Sequence, residues 1–247
     1  MKKNMPKEVI FYGDYDRSIK ISELEKIGAG HDGIVYRYND DYALKVLKYN
    51  TQERKDRNLM TFDKAIYLKE NLKLRRITNP KDILLDTDGN YAAYMMDYKD
   101  DVIKADEYRD VGNFTCGDLL SSVFELQEDF AELTNKNVLA KDINRGSYIY
   151  TNDFLYLCDM DKYEINNRGC EDLNKRALNF VIAKLLYYEM LKNGSFDNLQ
   201  MRQLANWVKK CANARNFIGE LDREIVEIGD YKYPISEYTK QKVKKII

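Results

Sequence analysis

The chain has 247 residues, and its 40 basic and 41 acidic side chains leave a formal net charge of −1. With 44% apolar and 33% charged residues, it has the composition of a globular protein with a sizeable core, which excludes a disordered chain. The balanced charge indicates neither a nucleic-acid nor a membrane surface, no apolar run is long enough to span a membrane, and the lysine-rich start lacks the apolar core of a signal peptide. We therefore expect a cytoplasmic protein. The only histidine is His31, which excludes Ser-His-Asp and Cys-His catalysis, and the four cysteines lack the CxxC spacing of zinc sites.

The first segment, residues 1–20, is polar apart from the short aromatic stretch from Val9 to Tyr12. We expect it to be an N-terminal extension with no more than one strand. A further strand is predicted at about residues 23–28, because the glycines that begin at Gly28 leave no room for a helix there.

Three glycines at relative positions 1, 3 and 6, namely Gly28, Gly30 and Gly33, lie between two segments that alternate like strands. A backbone without Cβ atoms can approach a phosphate chain closely and offer N–H groups to it. Dinucleotide-binding folds use the same spacing, but there the glycines open a helix. Here they lead into a strand, a polar turn at 39–41 and a second strand that carries Lys45, which predicts a β-hairpin. A nicotinamide-dependent oxidoreductase is therefore disfavoured.

Apolar residues then recur at helical spacing and predict a helix that begins near Leu59 and ends at Pro80. Its apolar face consists of Leu59, Phe62, Ala65, Ile66, Leu72, Leu74 and Ile77. Glu70 lies within this helix, ten residues before Pro80.

A second hairpin is predicted from two apolar segments, residues 83–86 and 91–98, which flank an Asp-Gly-Asn turn. The polar residues that follow, 100–113, are expected to form a loop with a short helix.

The second half of the chain is predicted to be mainly helical. The predicted helices run from about Thr115 to 135, from 172 to an end at Asn193-Gly194, from 199 to 213, from 217 to 228 and from 235 to 247. After the first of these, two short apolar strands joined by a turn at 151–153 are predicted, with Asp142 before the first strand and Asp159 at the end of the second.

These features, in this order, resemble the protein-kinase superfamily. The glycine loop followed by Val35 resembles its glycine-rich loop, and Ala43-Leu44-Lys45 resembles its V-A-I-K strand. Asp142 and Asp159 resemble the aspartates of its catalytic loop and of its D-F-G motif.

The resemblance implies an α+β, bilobal protein-kinase-like fold. After the extension at residues 1–20, residues 21–98 would form an N-lobe with a small antiparallel sheet, and residues 99–247 would form a mainly helical C-lobe. It also implies ATP as the phosphoryl donor, with Mg²⁺ or Mn²⁺ as the metal.

The resemblance further implies roles for individual residues. Lys45 would hold the α- and β-phosphates, and Glu70 would pair with its ammonium and fix its position. Asp142 would orient the acceptor hydroxyl and accept its proton, and Asp159 would hold the metal. The other nucleotide contacts that it implies are Gly28, Ala29, Gly30, Gly33, Val35, Ala43, Met96, Asp97 and Tyr98.

The chain also departs from the family's pattern. Ala140-Lys141 precedes Asp142 where the family has His-Arg, and Ser147 stands where it has asparagine. Asp161 stands where D-F-G has its glycine. Since Mg²⁺ and Mn²⁺ prefer oxygen ligands, we expect Ser147, Asn144 and Asp161 to supply further ligands.

The sequence thus predicts an ATP- and Mg²⁺-dependent phosphotransferase that acts on Ser/Thr hydroxyls of proteins, including its own. The complete glycine loop and the strand of Lys45 favour this acceptor. A kinase of sugars or aminoglycoside-like small molecules stays open, because Asp159-Met160-Asp161-Lys162 is similar to the D-F-D-K sequences of such kinases and no long activation segment follows it. A nucleotide-binding pseudokinase that acts as an interaction module also stays open, because of Ser147 and the missing His-Arg. The oligomeric state is not predicted.

Overall fold

The computed structural model of the protein describes residues 5–99, 103–104, 114–151, 154–192 and 194–247. Internal contacts divide the chain into two units. The sheet unit comprises Met1–Leu74, Thr78–Asp100 and Asp159–Ile165, and the helical unit comprises Arg75–Ile77, Asp101–Cys158 and Asn166–Ile247. The loop predicted at 100–113 (apart from 103–104), the turn residues 152–153 and the helix end at Asn193 lie outside the described residues.

Among its described residues, the sheet unit contains seven strands and two α-helices. The strands are β1 (Glu8–Phe11), β2 (Asp14–Lys20), β3 (Glu25–Ala29), β4 (Gly33–Arg37), β5 (Tyr42–Leu47), β6 (Asp82–Leu85) and β7 (Tyr91–Asp97), and the helices are α1 (Thr51–Asp56) and α2 (Phe62–Asn71). The strands form one antiparallel sheet in the order β2-β1-β6-β7-β5-β4-β3. Its apolar core includes the fully buried Val9, Leu44, Val46, Leu84 and Ala93.

The two hairpins predicted in this unit are present, and each turn is shaped by a side-chain acceptor. In the β4–β5 turn, the amide oxygen of Asn39 accepts hydrogen bonds from the backbone N–H of Asp41 (3.0 Å) and Tyr42 (2.8 Å). In the β6–β7 turn, the Asp86 carboxylate accepts one from the N–H of Asn90 at 2.8 Å. Short polar side chains that bond to backbone groups a few residues ahead are typical of such turns.

Residues of the expected N-terminal extension form two strands of the sheet, β1 and β2, where the sequence indicates at most one. Strand β2 lies at the edge of the sheet, and six of its seven residues are exposed, Ile19 being the buried one. A strand so exposed lacks the alternation of apolar and polar residues by which a half-buried strand is recognised.

The predicted helix from Leu59 to Pro80 is shorter than expected, since α2 ends at Asn71. The N–H of Leu72 still bonds to the carbonyl of Leu68, but Leu72 itself has extended dihedral angles (φ −111°, ψ 137°). The apolar residues beyond it are buried in non-helical chain, so burial and not helical geometry explains why their pattern continues to Pro80.

The helical unit contains the predicted long helices and a small sheet. Its helices are α3 (Cys116–Asn135), α4 (Glu171–Lys192), α5 (Asn198–Asn213), α6 (Phe217–Ile228) and α7 (Ile235–Ile246), and its strands are β8 (Ile103–Lys104), β9 (Tyr148–Tyr150) and β10 (Leu155–Leu157). The three strands are antiparallel in the order β10-β9-β8. Thr115 caps α3 as expected, since its hydroxyl accepts from the N–H of Asp118 and the Asp118 carboxylate accepts from the N–H of Thr115. Within the described part of the chain, every helix is too short or too polar to cross a membrane.

Candidate active site

Lys45 lies at the centre of a buried ion-pair cluster in the sheet unit. Strand β5 is buried along nearly its whole length, and Lys45 is only 8% exposed. Its Nζ lies 2.6 Å from Oδ1 of Asp159 and 2.8 Å from Oδ2 of Asp161. Desolvation acts to lower the pKa of Lys45, but the Asp161 and Asp159 carboxylates outweigh it and raise that pKa above its ordinary value. The ammonium is therefore charged and is held between two carboxyl groups.

Asp159 is the more accessible of these two carboxylates. It follows β10 after a single residue and has left-handed dihedral angles (φ 72°, ψ 64°), which are uncommon for a residue other than glycine. Its side chain is 43% exposed. Such backbone outliers are frequent at functional sites, where the surrounding structure holds them.

Asp161 is only 1% exposed, and both of its carboxylate oxygens have partners inside the sheet unit. Oδ2 pairs with Lys45, and Oδ1 accepts a hydrogen bond from the hydroxyl of Tyr94 on β7 at 2.9 Å. Burial raises the pKa of Tyr94, so that the phenol stays protonated and donates. Burial also raises the pKa of Asp161, an effect that the Lys45 ammonium opposes.

The expected Lys45–Glu70 pair does not form. Glu70 is exposed in the last turn of α2, and the carboxylates within ion-pair distance of Lys45 among the described residues are Asp159 and Asp161. The buried charged side chain of α2 is Lys64, which is 5% exposed and donates to the backbone carbonyl of Asp161 at 2.6 Å. Burial lowers the pKa of Lys64 to about 8.

Lys64 and Tyr94 belong to this cluster but were not predicted from the sequence. One signal was present for Lys64, because it falls beside Ala65 and four residues before Leu68 on the apolar face of α2. No sequence feature indicated a role for Tyr94, because aromatic residues are common in strands such as the one predicted at 91–98.

The glycine loop joins β3 to β4, and its turn is closed by a hydrogen bond of 2.9 Å from the N–H of Gly30 to the carbonyl of Gly33. A Cβ atom on Gly33 would lie 2.8 Å from the carbonyl oxygen of Val46 and 3.2 Å from Cγ of Lys45. By contrast, a Cβ on Gly30 would meet no atom within 4 Å, and one on Gly28 would meet only Val35, at 3.8 Å. Gly33 is thus required by the packing of Lys45, whereas Gly28 and Gly30 leave open space that phosphates could approach.

The other residues expected to contact the nucleotide lie in strands of the same sheet or, for Tyr98, directly after one. Val35 is paired with Lys45 in the β4–β5 register, and Ala43, which is 2% exposed, is paired with Met96 in the β5–β7 register. Ala29 is the exposed last residue of β3. Asp97 ends β7 and pairs with Lys81 at 3.2 Å, and the N–H of Tyr98 bonds to the carbonyl of Asp41 at 2.8 Å.

Three predicted site residues, Asp142, Asn144 and Ser147, belong to the helical unit. Asp142 is exposed and, like Asp159, has a positive φ (57°). The Asn144 side chain bonds to the N–H of Gly146 (2.9 Å) and to the carbonyl of Asp142 (3.1 Å). The Ser147 hydroxyl accepts from the N–H of Asn144 at 3.2 Å, and Ser147 is 2% exposed. The side chains of Asn144 and Ser147, both expected to bind the metal, are therefore hydrogen-bonded within their own loop.

The donor set is compatible with a magnesium–nucleotide complex. Among the residues that the structure describes, no three His, Cys, Asp or Glu side chains are grouped so as to hold a metal by themselves. Mg²⁺ typically binds to one or two carboxylates, to substrate phosphates and to water, and Asp159 offers such a carboxylate beside Lys45. The open space at Gly28 and Gly30 fits the same complex.

Comparisons with known proteins identify the fold. No protein-family model and no curated protein matches the chain. Among 1729 matching chains of solved structures is a chain of the CAK (CDK-activating kinase) complex from Chaetomium thermophilum bound to ATP-gamma-S, with 15% identity and a TM-score of 0.51. The match covers 66% of this chain and 61% of that chain, which is less than two thirds of the neighbour's length. The protein has an α+β, protein-kinase-like fold, with a sheet-rich N-lobe and a helical C-lobe.

Proposed function

We propose that the protein is an ATP- and Mg²⁺-dependent phosphotransferase that transfers the γ-phosphoryl group of ATP to Ser/Thr hydroxyls of proteins, including its own. The observation that supports the proposal most strongly is the contact between Lys45 and Asp159. Two separate motifs select these residues, which are 114 positions apart in the chain, and their charged groups lie 2.6 Å apart. A phosphate-binding cation beside a metal-binding anion is what phosphoryl transfer requires.

In this proposal each residue has a distinct task. Lys45 neutralises negative charge on the phosphates, and the backbone at Gly28 and Gly30 offers N–H donors to them. Asp159 would hold Mg²⁺, and the bound metal would supply positive charge against the phosphates. Asp142 orients the acceptor hydroxyl and takes its proton as the new O–P bond forms and ADP leaves.

We further propose that the protein contributes Asp159 alone to the metal, with phosphate oxygens and water as the other ligands. Asn144 and Ser147 are engaged within their own loop, and Asp161 is buried with both oxygens paired. This differs from the expectation that all three supply ligands.

The second candidate acceptor is a small hydroxylated molecule such as a sugar or an aminoglycoside. The observation that favours it is the short chain from Asp161 to the start of α4 at Glu171, which leaves only residues 162–170 for an activation segment. The glycine loop and the strand of Lys45 favour a protein acceptor, which we retain as the first candidate.

The test is to incubate the purified chain with Mg-ATP, to measure ATP consumption and to map phosphosites by mass spectrometry, both on the chain and in an added lysate. We expect Lys45→Ala and Asp142→Asn each to lower turnover by about 10²–10⁴-fold while the fold is kept. The matched control is Asp222→Asn, an exposed aspartate on α6.

The outcomes of this test separate the residue assignments, the two candidate acceptors and a protein without catalytic activity. Wild-type turnover in Lys45→Ala or Asp142→Asn would remove those assignments. Consumption of ATP with sugars or aminoglycosides but no phosphosite on any protein would select the small-molecule acceptor. Nucleotide binding without consumption across these acceptors would indicate a pseudokinase.

A further inference from the structure

We propose that Asp161 is the residue that positions Lys45, in the place that a glutamate of α2 would otherwise have, and that it is not a metal ligand. This inference rests on the proposed function, since it concerns how the phosphate-binding ammonium of the same site is held. It concerns a residue whose sequence position is that of the glycine in D-F-G.

The Asp161 carboxylate has a partner at each of its two oxygens. Oδ2 lies 2.8 Å from Nζ of Lys45, and Oδ1 accepts from the Tyr94 hydroxyl at 2.9 Å. The side chain is 2% exposed, so water does not compete for either oxygen. Because both oxygens are held, the carboxylate has one orientation and fixes the ammonium that it contacts.

The buried face of α2 presents a positive charge and no carboxylate. A helix that supplied the partner of Lys45 would place a carboxylate on its buried face, but the buried charged side chain of α2 is Lys64. Its Nζ donates to the backbone carbonyl of Asp161 at 2.6 Å. The helix therefore holds the backbone of Asp161 in place, while Asp161 holds Lys45. Glu70 is exposed in the last turn of α2.

The two aspartates that contact Lys45 differ in their exposure to solvent. The side chain of Asp159 is 43% exposed, whereas that of Asp161 is 2% exposed. A ligand or hydrated metal can reach the first carboxylate without disturbing the second. The two carboxylates can therefore have separate tasks, with metal binding at Asp159 and positioning of Lys45 at Asp161.

The first experiment measures the affinity for a fluorescent ATP analogue as a function of Mg²⁺ concentration. We expect Asp161→Asn to weaken nucleotide binding about tenfold with and without Mg²⁺, and to leave the half-saturating Mg²⁺ concentration unchanged. Asp159→Asn is expected to raise that concentration. Asp63→Asn, an exposed carboxylate in the first turn of α2, is the matched control. A purely structural role of Asp161 would not separate affinity from metal requirement in this way.

The second experiment is a double-mutant cycle between Lys45→Met and Asp161→Asn, measured both in nucleotide affinity and in the unfolding equilibrium constant. We expect the double variant to bind nucleotide no more weakly than Lys45→Met, because the two residues act as one unit. We expect their effects on unfolding to be non-additive as well, by about tenfold. If Asp161→Asn does not fold, Tyr94→Phe takes its place, with an expected loss of nucleotide affinity of about threefold.

Three results would overturn the inference: additive effects in the cycle, an increased Mg²⁺ requirement in Asp161→Asn like that in Asp159→Asn, or a loss of affinity in Glu70→Gln as large as that in Asp161→Asn. Unchanged affinity in Tyr94→Phe, where that variant is used, would do the same. If the wild-type chain binds no nucleotide, the proposed function fails, and the unfolding cycle alone decides whether Asp161 holds Lys45.

Discussion

The replacement Gly33→Ala tests the packing on which the position of Lys45 depends. The new Cβ would lie 2.8 Å from the carbonyl oxygen of Val46, and 3.2 Å and 3.3 Å from Cγ and Cε of Lys45. The Lys45 stem can yield by a few tenths of an ångström, but the Val46 carbonyl belongs to the buried strand β5 and cannot move without distorting the sheet. Overpacking of this kind typically costs about 1–3 kcal/mol, which is the loss of unfolding free energy that we expect.

The assay is urea denaturation followed by circular dichroism, combined with hydrogen exchange of the backbone amides in β4 and β5. Gly30→Ala is the matched control, because its Cβ would meet no atom within 4 Å, and we expect a change below about 0.5 kcal/mol. We also expect Gly33→Ala to weaken nucleotide binding, since it displaces the Lys45 ammonium from Asp159. Equal stability of the Gly33→Ala and Gly30→Ala variants would refute the reasoning.

Two further predictions concern the helical unit. The buried carboxylate of Asp129 accepts hydrogen bonds from the backbone N–H groups of all three residues 75–77, at 2.7–3.2 Å. Asp129→Ala is therefore expected to lower the free energy of unfolding by about 3 kcal/mol, measured by urea denaturation with the fluorescence of Trp207. A loss of less than about 1 kcal/mol would contradict this expectation. At Glu224, desolvation raises the pKa, but hydrogen bonds from Lys242 and a tyrosine outweigh it and lower the pKa below the ordinary 4.5. Because the folded pKa is the lower one, the pair stabilises the fold above pH 4.5 and loses this effect as the pH falls through the folded pKa. Glu224→Gln should therefore be about 1 kcal/mol less stable than wild type at pH 7 and equal to it in acid, whereas a difference that is independent of pH would argue against the pair.

Local patterns in the sequence were sufficient for much of the fold. The hairpin of β4 and β5 is predicted because its strands alternate and a polar turn that begins at Asn39 lies between them. The structure has this hairpin, with Val35 opposite Lys45. The start of α3 is predicted at about Thr115, and in the structure Thr115 is the capping residue of this helix. In both cases the residues that decide the structure are close together in the chain, which is the range over which propensity and periodicity carry information.

Sequence patterns do not predict the structure where contacts between residues far apart in the chain determine it. The apolar pattern that continues past Asn71 reflects burial and not a helix, because Leu72, Leu74 and Ile77 are buried in non-helical chain. The carboxylate partner of Lys45 could not be identified from periodicity, since no local rule connects β5 to Asp161. The resemblance selects Glu70 instead, and only the buried Lys64 indicates that the buried face of α2 carries a positive charge.

The most direct test of the central claim, that Lys45 and Asp159 form a metal-dependent nucleotide site, is calorimetric titration of ATP with and without Mg²⁺ into the wild-type chain and into Asp159→Asn. We expect Mg²⁺ to tighten ATP binding by the wild-type chain at least about tenfold, because Asp159 would hold the cation that accompanies the phosphates. Asp159→Asn should lose this gain and keep its affinity for ATP in the absence of metal. ATP binding that Mg²⁺ tightens equally in both proteins, or no ATP binding by the wild-type chain, would contradict the account.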